Sequence, residues 1–298
     1  MKIFLDGQIV AEEEAKVSVF DHGLLYGDGV FEGIRAYDGY VFKLDQHIDR
    51  LYASAHAIML DIPMKKAEMC EAILQTLRAN ELQSSYIRPV VTRGVGDLGI
   101  DPRKCKSGPT IFVIAKPMRS LFPEEVLKRG LKAVVASTRN KAMDSCPPNV
   151  KSLNYLANVM AKIEANLVDA DEAIMLDQNG YVAEGSADNI FYVRDGRLVT
   201  PPTITALPGI TRDTVIELAR KDGMDVYEEN FGIANLFMAQ ECFITGTAAE
   251  IAPVVEISGR KIGNGKPGPI TGRLQDLFKS VTGIAETGTA VYEPVARK

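Results

Sequence analysis

The organisation of this chain is decided at residues 117–124, which read PMRSLFPE. Two prolines interrupt the strand pattern that precedes them, and a new apolar run begins at Leu131. Because proline fixes φ and removes a backbone donor, such a segment favours a connection between compact units. We therefore predict a domain boundary here, with residues 119–128 as an interdomain loop.

Strand and helix patterns alternate on both sides of this segment. Before it, we predict a hairpin over 2–11, strands at 30–36, 40–42, 86–92 and 110–116, and amphipathic helices near 44–51 and 65–79. After it, we predict strands at 132–137, 172–176 and 189–193, and helices at 153–167, 207–221 and 271–279. The chain is predicted to be a mixed α+β protein, with a smaller N-terminal α/β domain at residues 1–118 and a larger C-terminal domain at 129–298.

Composition excludes several classes of protein. Of the 298 residues, 46% are hydrophobic and 24% are charged, which is typical of a globular protein. The formal charge of −5 gives no basic footprint for nucleic acid or an anionic membrane. The first residues, MKIFLDG, lack the apolar run of a signal peptide, and no apolar stretch approaches 18 residues. We expect a cytoplasmic protein with neither nucleic acid nor membrane as a partner.

The cysteines and histidines indicate neither a disulfide framework nor a metal site. The cysteines are scattered without a CxxC pair, so they are expected to be reduced thiols. The histidines are His22, His47 and His56, and none stands at a zinc-type spacing from another ligand. No bound metal is expected.

Residues 149–156, NVKSLNYL, contain a candidate nucleophile at Lys151. A lysine ahead of an apolar helix can be held near a core, where desolvation lowers its pKa and makes the amine reactive. If the helix has already begun, Tyr155 shares a face with Lys151. On residue chemistry alone, a solvated lysine beside a core tyrosine is the commoner arrangement.

A second candidate site lies at residues 207–211, LPGIT, where a helix is predicted to begin. Gly209 allows the backbone to approach a ligand, and the N–H groups of Ile210 and Thr211 point out of the helix start, which suits a phosphate. The alternative is a plain loop in which Thr211 or a neighbour caps the helix. The P-loop and GxGxxG patterns of nucleotide sites are absent.

Three further positions have a functional and a structural interpretation. Thr247 lies among small residues after an apolar strand, where they form either an anion site or a tight turn. Glu184 is expected in a small-residue turn, where its carboxylate accepts from a ring nitrogen or caps the turn. Arg50 is expected at the end of the first helix, where a solvated charge is commoner than a phosphate ligand.

Taken together, these segments resemble the branched-chain aminotransferases among the fold-type IV pyridoxal-phosphate enzymes, whose two-domain fold is like that of D-amino acid aminotransferase. The match covers nearly the whole chain and includes, in order, residues 22–35 (HGLLYGDGVFEGIR), 47–51, 86–89 (YIRP), 151–156, 184–191, 207–213 and 246–253. So many matches in the same order make a chance resemblance negligible. They favour a reactive Lys151 over the solvated lysine that residue chemistry alone suggests.

The resemblance implies a role for each candidate toward pyridoxal 5'-phosphate. Lys151 is the expected Schiff-base lysine, which also moves the substrate α-proton. Tyr155 is expected on the phenolic oxygen of the ring and Glu184 on the pyridine nitrogen, which it keeps protonated. The expected phosphate ligands are Arg50, the backbone of the Gly209-Ile210-Thr211 segment and the Thr247 hydroxyl.

The resemblance also implies a substrate pocket. Tyr86 and the Thr247–Ala248 backbone are expected at the substrate carboxylate, and Arg88 at the distal carboxylate of glutamate or 2-oxoglutarate. The apolar side-chain pocket is expected to contain Tyr26, Phe31 and Ile100, for which core packing is the alternative. Leu121 stands where some members carry a tyrosine in the interdomain loop, so apolar cover is kept and a hydroxyl is lost.

The expected activity is transamination of branched-chain L-amino acids with 2-oxoglutarate, by a homodimer or a homohexamer. Alternatives with the same fold are a D-amino acid aminotransferase and aminodeoxychorismate lyase. Residues 86–89 favour the branched-chain type over the D-amino acid aminotransferase, which lacks this Tyr-Ile-Arg-Pro arrangement, and residues 246–251 favour it over both. A non-catalytic module that binds a phosphate ligand is a further alternative, against which Lys151, Tyr155 and Glu184 argue together.

Overall fold

The computed structural model describes residues 1–292, and the chain divides into two compact units. The first unit comprises Met1–Arg119, Val150–Asn154 and the described residues from 281 onward. The second comprises Ser120–Asn149 and Tyr155–Ser280. Elements are numbered below in chain order.

The first unit is an antiparallel sheet with two long helices. Its elements are β1 (Lys2–Leu5), β2 (Gln8–Ala11), α1 (His22–Tyr26), β3 (Gly29–Phe31), β4 (Ile34–Tyr37), β5 (Tyr40–Phe42), α2 (Leu44–Ala57), α3 (Lys66–Ala79), β6 (Ser85–Thr92), a 3₁₀ turn (Pro102–Lys104), β7 (Ile111–Pro117) and β17 (Gly288–Ala290). The strand order is β17-β5-β4-β6-β7-β1-β2, and β3 also pairs with β6. The hairpin over 2–11, the two helices and the strands β6 and β7 confirm the sequence predictions.

The core of this unit lies between the sheet and helices α2 and α3. Leu44, Ile48 and Leu51 recur on one face of α2 and are fully buried. They pack with Met69, Ile73 and Leu77 of α3, which also recur at helical spacing. Burial of this apolar stripe fixes which other residues of α2 point away from the core.

The single strand predicted over 30–36 was wrong, because it is interrupted at Glu32 and Gly33. Phe31 pairs with Val90 of β6, and Ile34 pairs with Ile87, so the interruption lies opposite Arg88 and Pro89. Proline has no N–H to donate to a ladder, so regular pairing fails at this point. Glu32 instead donates its N–H to the Pro89 carbonyl at 2.9 Å.

The second unit is a mixed sheet with helices. Its elements are α4 (Glu124–Arg129), β8 (Leu131–Val135), α5 (Leu156–Leu167), β9 (Glu172–Leu176), β10 (Val182–Gly185), β11 (Asn189–Arg194), β12 (Arg197–Thr200), α6 (Ile210–Lys221), β13 (Asp225–Glu228), α7 (Ile233–Phe237), β14 (Glu241–Gly246), β15 (Glu250–Ile257), β16 (Arg260–Lys261) and α8 (Pro269–Ser280). The strand order is β10-β9-β8-β15-β14-β11-β12-β13, with β16 beside β15. Pairs β8–β9, β8–β15 and β12–β13 are parallel. The mixed α and β prediction is confirmed.

Residues 150–154 are not helical, which corrects the predicted start of the helix at 153. Leu153 donates its N–H to Gly29 O at 2.9 Å, and Phe31 donates its N–H to Lys151 O at 3.1 Å. Val30 and Ser152 form an antiparallel bridge between these two bonds. Because these backbone groups pair with β3, they are unavailable for helical bonding, and α5 begins only at Leu156.

The four cysteines carry free thiols. Within residues 1–292, no helix combines the length and apolar character needed to cross a membrane. The same residues contain no group of three or more His, Cys, Asp or Glu side chains arranged to hold a metal ion.

Candidate active site

Lys151 is fixed by its own backbone beside β3 and α2. Its N–H donates to Ser54 Oγ at 3.1 Å, and its carbonyl accepts from Phe31 N at 3.1 Å. Its Nζ lies 4.6 Å from the centre of the Phe31 ring. The residue is half-buried, and its contact with the aromatic face removes part of the amine surface from water. Lys151 and Tyr155 share no helix face, because the helix begins after both residues and the condition for that expectation is not met.

Helix α2 places Arg50 and His47 around a buried carboxylate, Glu32. Arg50 donates through Nε to Glu32 Oε1 at 2.7 Å and through Nη2 to Oε2 at 2.8 Å. His47 Nδ1 lies 2.8 Å from the same Oε2. The Glu32 side chain is 0% exposed and that of Arg50 is 11% exposed. Arg50 therefore lies within α2, not at its end, and is a paired buried charge instead of a solvated one.

The charge states of this triad follow from its geometry. Burial alone would raise the pKa of Glu32, but the Arg50 charge and the hydrogen bonds from Arg50 and His47 outweigh burial and hold it well below its usual value. Burial lowers the pKa of His47, against the opposing attraction of Glu32. Glu32 is therefore ionised and His47 is neutral at pH 7, with Nδ1–H donating to the carboxylate.

A second group of side chains in the first unit, Tyr86 and Arg88, lies near the Phe31 ring that Lys151 contacts. Tyr86 and Arg88 are two residues apart on β6 and share a face. Arg88 Nη2 donates to Tyr86 Oη at 2.7 Å, and its Cζ lies 4.7 Å from the centre of the Phe31 ring. Arg88 Nε is buried and has no hydrogen-bond partner among residues 1–292. A buried donor left in this way suits an anionic oxygen of a ligand.

Gly33 is required for this arrangement. A Cβ at that position would lie 2.2 Å from Tyr86 Oη, so any side chain would displace the phenol. The structure thus brings four of the predicted site residues together in the first unit: Lys151, Phe31, Tyr86 and Arg88.

Tyr26 and Ile100 are not core residues, whereas Phe31 is buried. Tyr26 is exposed and its hydroxyl donates to the Leu98 carbonyl, which ties the end of α1 to the loop that follows β6. Ile100 lies in the same loop and is 81% exposed. Core packing is therefore wrong for both positions. In the second unit, Leu121 is also exposed.

Glu184 is buried in the second unit, on strand β10 opposite Met175 of β9. The predicted location in a turn was wrong, because the turn follows at 186–188. Asn140 Nδ2 donates to Glu184 Oε1 at 3.0 Å, and Leu207 N–H donates to Oε2 at 2.9 Å. The carboxylate is therefore held on both oxygens by neutral donors.

The start of helix α6 has the character of an anion site. Of the two possibilities, Thr211 or a neighbour, the N-cap is a neighbour, Gly209. Gly209 has no side chain with which to cap the first N–H groups of this twelve-residue helix. A Cβ on Gly209 would lie 1.9 Å from Asn189 Oδ1, so only glycine fits here. The Ile210 and Thr211 N–H groups start a helix whose dipole favours an anion.

Thr247 and Ala248 lie in the tight turn of a hairpin between β14 and β15. Gly246 pairs with Glu250 across this turn, and both Thr247 and Ala248 are half-buried. The tight-turn interpretation of this segment is therefore confirmed, which does not conflict with a role as anion ligands.

Tyr155 is the N-cap residue of α5, and the Lys141 Nζ lies 4.6 Å from the centre of its ring.

These groups fit pyridoxal phosphate in chemical character. The first unit supplies an amine for an aldehyde and a largely buried guanidinium, and the second supplies a helix start with glycine as its N-cap and a buried carboxylate for a protonated ring nitrogen. Each part of the cofactor therefore has a matching donor or acceptor among the predicted residues.

Comparison with known proteins agrees with this chemistry. Residues 29–257 match the family described as amino-transferase class IV. A protein of Methanocaldococcus jannaschii, provisionally named branched-chain-amino-acid aminotransferase, is 56% identical over 98% of this chain and 100% of its own length. The crystal structure of the Escherichia coli branched-chain amino acid aminotransferase has a TM-score of 0.93 and 38% identity, over 98% of this chain and 99% of that one. The Thermobaculum terrenum branched-chain amino acid aminotransferase, solved in its PLP-bound holo-form, has a TM-score of 0.87 and 32% identity, over 98% of both chains.

The chain belongs to the class IV aminotransferases. Its mixed α and β fold is that of the solved structures of fold-type IV.

Sequence reasoning missed several residues of this class IV aminotransferase that hold the predicted site residues. They are Glu32, His47 and Ser54 in the first unit and Asn140 in the second. A signal existed for three of them. Glu32 is a lone charge in the apolar run GVFEGI, and His47, Arg50 and Ser54 recur at helical spacing on one face of α2. Asn140 lies outside any periodic segment, so its neighbours in the sequence give no indication of Glu184.

Proposed function

We propose that the chain transfers amino groups between branched-chain L-amino acids (leucine, isoleucine and valine) and 2-oxoglutarate, using pyridoxal 5'-phosphate. The products are branched-chain 2-oxo acids and L-glutamate. One observation supports this most: the Phe31 ring has the Lys151 amine on it at 4.6 Å and the Arg88 guanidinium at 4.7 Å. A nucleophile, an apolar surface and a group that binds carboxylates are thus held together.

When bound, pyridoxal phosphate supplies the aldehyde that takes up the amino group and a conjugated ring that withdraws electrons from the substrate. Lys151 holds the cofactor through its amine and moves the proton at the substrate Cα. Glu184 holds the proton on the ring nitrogen, because its buried carboxylate is an acceptor with a fixed plane. Tyr155 donates to the phenolic oxygen of the ring.

The phosphate is a dianion, and we assign it one guanidinium and several dipoles. Arg50 is the guanidinium, oriented by its two bonds to Glu32. The N–H groups of Ile210 and Thr211 contribute the helix start, with Gly209 admitting close approach, and Thr247 contributes its hydroxyl.

Two kinds of substrate side chain must use one pocket in alternate half-reactions. Phe31, Tyr26 and Ile100 provide apolar surface for a branched aliphatic side chain. Arg88 receives the distal carboxylate of glutamate or 2-oxoglutarate, since that carboxylate would otherwise be buried without a partner at considerable cost. Tyr86, with the Thr247–Ala248 backbone, binds the α-carboxylate, and Leu121 contributes apolar cover.

We further propose that the protein works in the cytoplasm as a homo-oligomer, either a dimer or a hexamer, without nucleic acid or membrane partners. Its four thiols are free, which suits a reducing compartment. Apolar side chains are exposed in both units, including Leu24, Leu98 and Ile100 in the first and Leu156 and Leu167 in the second. Such exposure supports burial against further copies of the chain.

The test is a half-reaction panel that follows conversion of the bound cofactor from its aldehyde to its amine form. We expect L-leucine, L-isoleucine, L-valine and L-glutamate to react, and D-alanine to be far slower. Faster reaction with D-alanine would contradict the assignment in favour of a D-amino acid aminotransferase. Pyruvate release from aminodeoxychorismate, without a second substrate, would contradict it in favour of a lyase. Cofactor binding without any half-reaction would indicate a non-catalytic binding module.

A further inference from the structure

Asn140 is a buried polar residue that the proposed mechanism does not yet use. It is 1% exposed and lies in the second unit, in the segment after β8. Its backbone N–H donates to Leu176 O at 2.9 Å, and its backbone carbonyl accepts from Gln178 Nε2 at 2.8 Å. Its side-chain Oδ1 accepts from Lys141 N–H at 2.9 Å. The orientation of the Asn140 side-chain amide is thereby fixed, since Oδ1 and Nδ2 cannot exchange places without losing these bonds.

The two protons of Asn140 Nδ2 join two parts of the second unit. One is donated to Glu184 Oε1 at 3.0 Å, and the other to the Thr205 carbonyl at 2.9 Å. Leu207, two residues after Thr205, donates its N–H to the other oxygen of Glu184 at 2.9 Å. Asn140, Glu184 and residues 205–207 therefore form a closed ring of hydrogen bonds, and this loop leads directly into Gly209 and helix α6.

This ring constrains the Glu184 carboxylate in two ways. Hydrogen bonds to both oxygens restrict the plane of the group. The Asn140 and Leu207 donors are neutral amides, and a hydrogen bond from either favours the charged form of the carboxylate. A charged carboxylate in a fixed plane suits a proton-bearing nitrogen.

We propose that Asn140 is a positioning residue for the transamination reaction, whose amide orients Glu184 toward the ring nitrogen of the cofactor. The inference rests on the proposed function of Glu184. Through Thr205, Asn140 also couples this carboxylate to the loop that precedes the phosphate-binding helix start. We therefore expect a change at Asn140 to alter recognition of the ring nitrogen beyond any general weakening of cofactor binding.

The test compares two ligands that differ only at the ring nitrogen. Full-length protein freed of cofactor is titrated with pyridoxal 5'-phosphate and with its analogue in which the ring nitrogen is replaced by CH. The readout is the ratio of the two dissociation constants, which does not depend on activity. We expect the wild type to prefer pyridoxal phosphate, because only that ligand offers a proton to Glu184.

Two substitutions of Asn140 remove the donor in different ways. Asn140→Ala deletes the amide, and we expect the preference to shrink by roughly tenfold, the usual effect of losing one hydrogen bond to a charged group. Asn140→Asp keeps the size and the acceptor for Lys141 N–H, so it preserves the local fold if the alanine variant does not. It places a second carboxylate about 3 Å from Glu184, where the two share a proton, so we expect a larger loss of preference.

Gln178→Ala is the matched control, because Gln178 contacts the Asn140 backbone carbonyl and not Glu184. This substitution removes a hydrogen bond from the segment that contains Asn140. We expect the ratio of the two dissociation constants to stay at the wild-type value. If both Asn140 variants kept the full wild-type preference, or weakened both ligands equally, the inference would be overturned while the role of Glu184 stood. If the wild type itself showed no preference, and Glu184→Gln left the ratio unchanged, the proposed role of Glu184 would fail and this inference with it.

Discussion

Glu32 is a charge with no exposed surface, and hydrogen bonds from Arg50, His47 and the Gly33 N–H explain how the first unit tolerates it. The carboxylate neutralises Arg50 and orients the guanidinium through two parallel bonds, while His47 satisfies a further lone pair. Such a triad contributes little net stability compared with apolar packing, but losing one member leaves an uncompensated buried charge. Its value lies in fixing the direction of Arg50.

We predict that Glu32→Ala lowers the free energy of unfolding by about 3–5 kcal/mol, because the largely buried ion pair with Arg50 loses its carboxylate. Urea denaturation of the cofactor-free protein measures this, since phosphate cannot then replace the lost carboxylate. Glu71→Ala is the control: Glu71 pairs with Arg78, but both side chains are at least 40% exposed. Its effect is expected to stay below about 1 kcal/mol. Equal losses in the two variants would contradict the account of the triad.

At the residue scale, the sequence could indicate chemical type but not contact partners. Lys151 was identifiable from the order of many motifs, although its own neighbours favoured a solvated charge. Its anchoring by Ser54 joins positions 97 residues apart, which no local pattern contains. Arg50 is a second example. Its burial depends on its ion pair with Glu32, which directly follows β3, whereas Arg50 itself lies on α2.

The start of helix α6 is the element on which the phosphate assignment depends. A Cβ on Gly209 would meet Asn189 Oδ1 at 1.9 Å. Asn189 cannot move freely, because its Nδ2 donates to Leu207 O at 2.9 Å and the residue is buried. A side chain at position 209 must therefore displace the first turn of the helix or the loop that leads into it.

We predict that Gly209→Ala weakens binding of pyridoxal phosphate by roughly tenfold or more, since overpacking by one methyl group typically costs about 1–3 kcal/mol. Binding of pyridoxal, which lacks the phosphate, should change far less; both are measured by titration of the cofactor-free protein. Gly272→Ala is the matched control, because Gly272 lies within α8 and its Cβ would meet nothing within 4 Å. There we expect unchanged binding and a gain of up to about 1 kcal/mol in stability. Unchanged pyridoxal phosphate binding in Gly209→Ala would remove this helix start from the phosphate site.

Most elements were predictable, and the errors have local physical causes. Apolar periodicity located α2, α3, α6 and α8 because each buries one stripe against a sheet. The predictions of secondary structure fail where backbone hydrogen bonds to a distant strand outweigh the local apolar periodicity. Pro89 interrupts the partner of β3, and pairing of residues 150–154 with β3 delays α5. Both effects depend on segments distant in sequence, so no window of neighbouring residues reveals them.

At the scale of the whole molecule, buried titratable groups make stability depend on pH. The pKa of His47 is lowered by burial, so the unfolded state takes up a proton before the folded state does. The stability that neutral His47 contributes is therefore fully present above its ordinary pKa of 6.5 and is lost as pH falls below that value toward its folded pKa. The pKa of Glu32 is lowered as well, so its contribution falls in the same direction at more acidic pH.

We predict that the stability difference between the wild type and His47→Asn shrinks as pH falls from 7 to 5. Asparagine keeps a donor toward Glu32 but cannot take up the proton. The linked loss is at most about 1.4 kcal/mol per pH unit for one proton. Denaturant unfolding at a series of pH values measures the difference. A difference that grows on acidification would contradict neutral, buried His47.

The division into two units could be predicted only in part from the proline-rich segment. The chain changes unit between Arg119 and Ser120, within that segment, yet Val150–Asn154 returns to the first unit. That return carries Lys151 to β3 and α2, and it depends on backbone bonds with residues 29–31. A linear reading assigns Lys151 to the second domain because it precedes a helix of that domain.

The most direct test of the central claim is reduction of the bound cofactor with borohydride, followed by digestion and mass spectrometry. The account predicts a phosphopyridoxyl group on the peptide that contains Lys151, and none on that peptide in Lys151→Ala, which also loses transamination. Modification of a different lysine, such as Lys141 beside Tyr155, would contradict it, as would full transamination by Lys151→Ala.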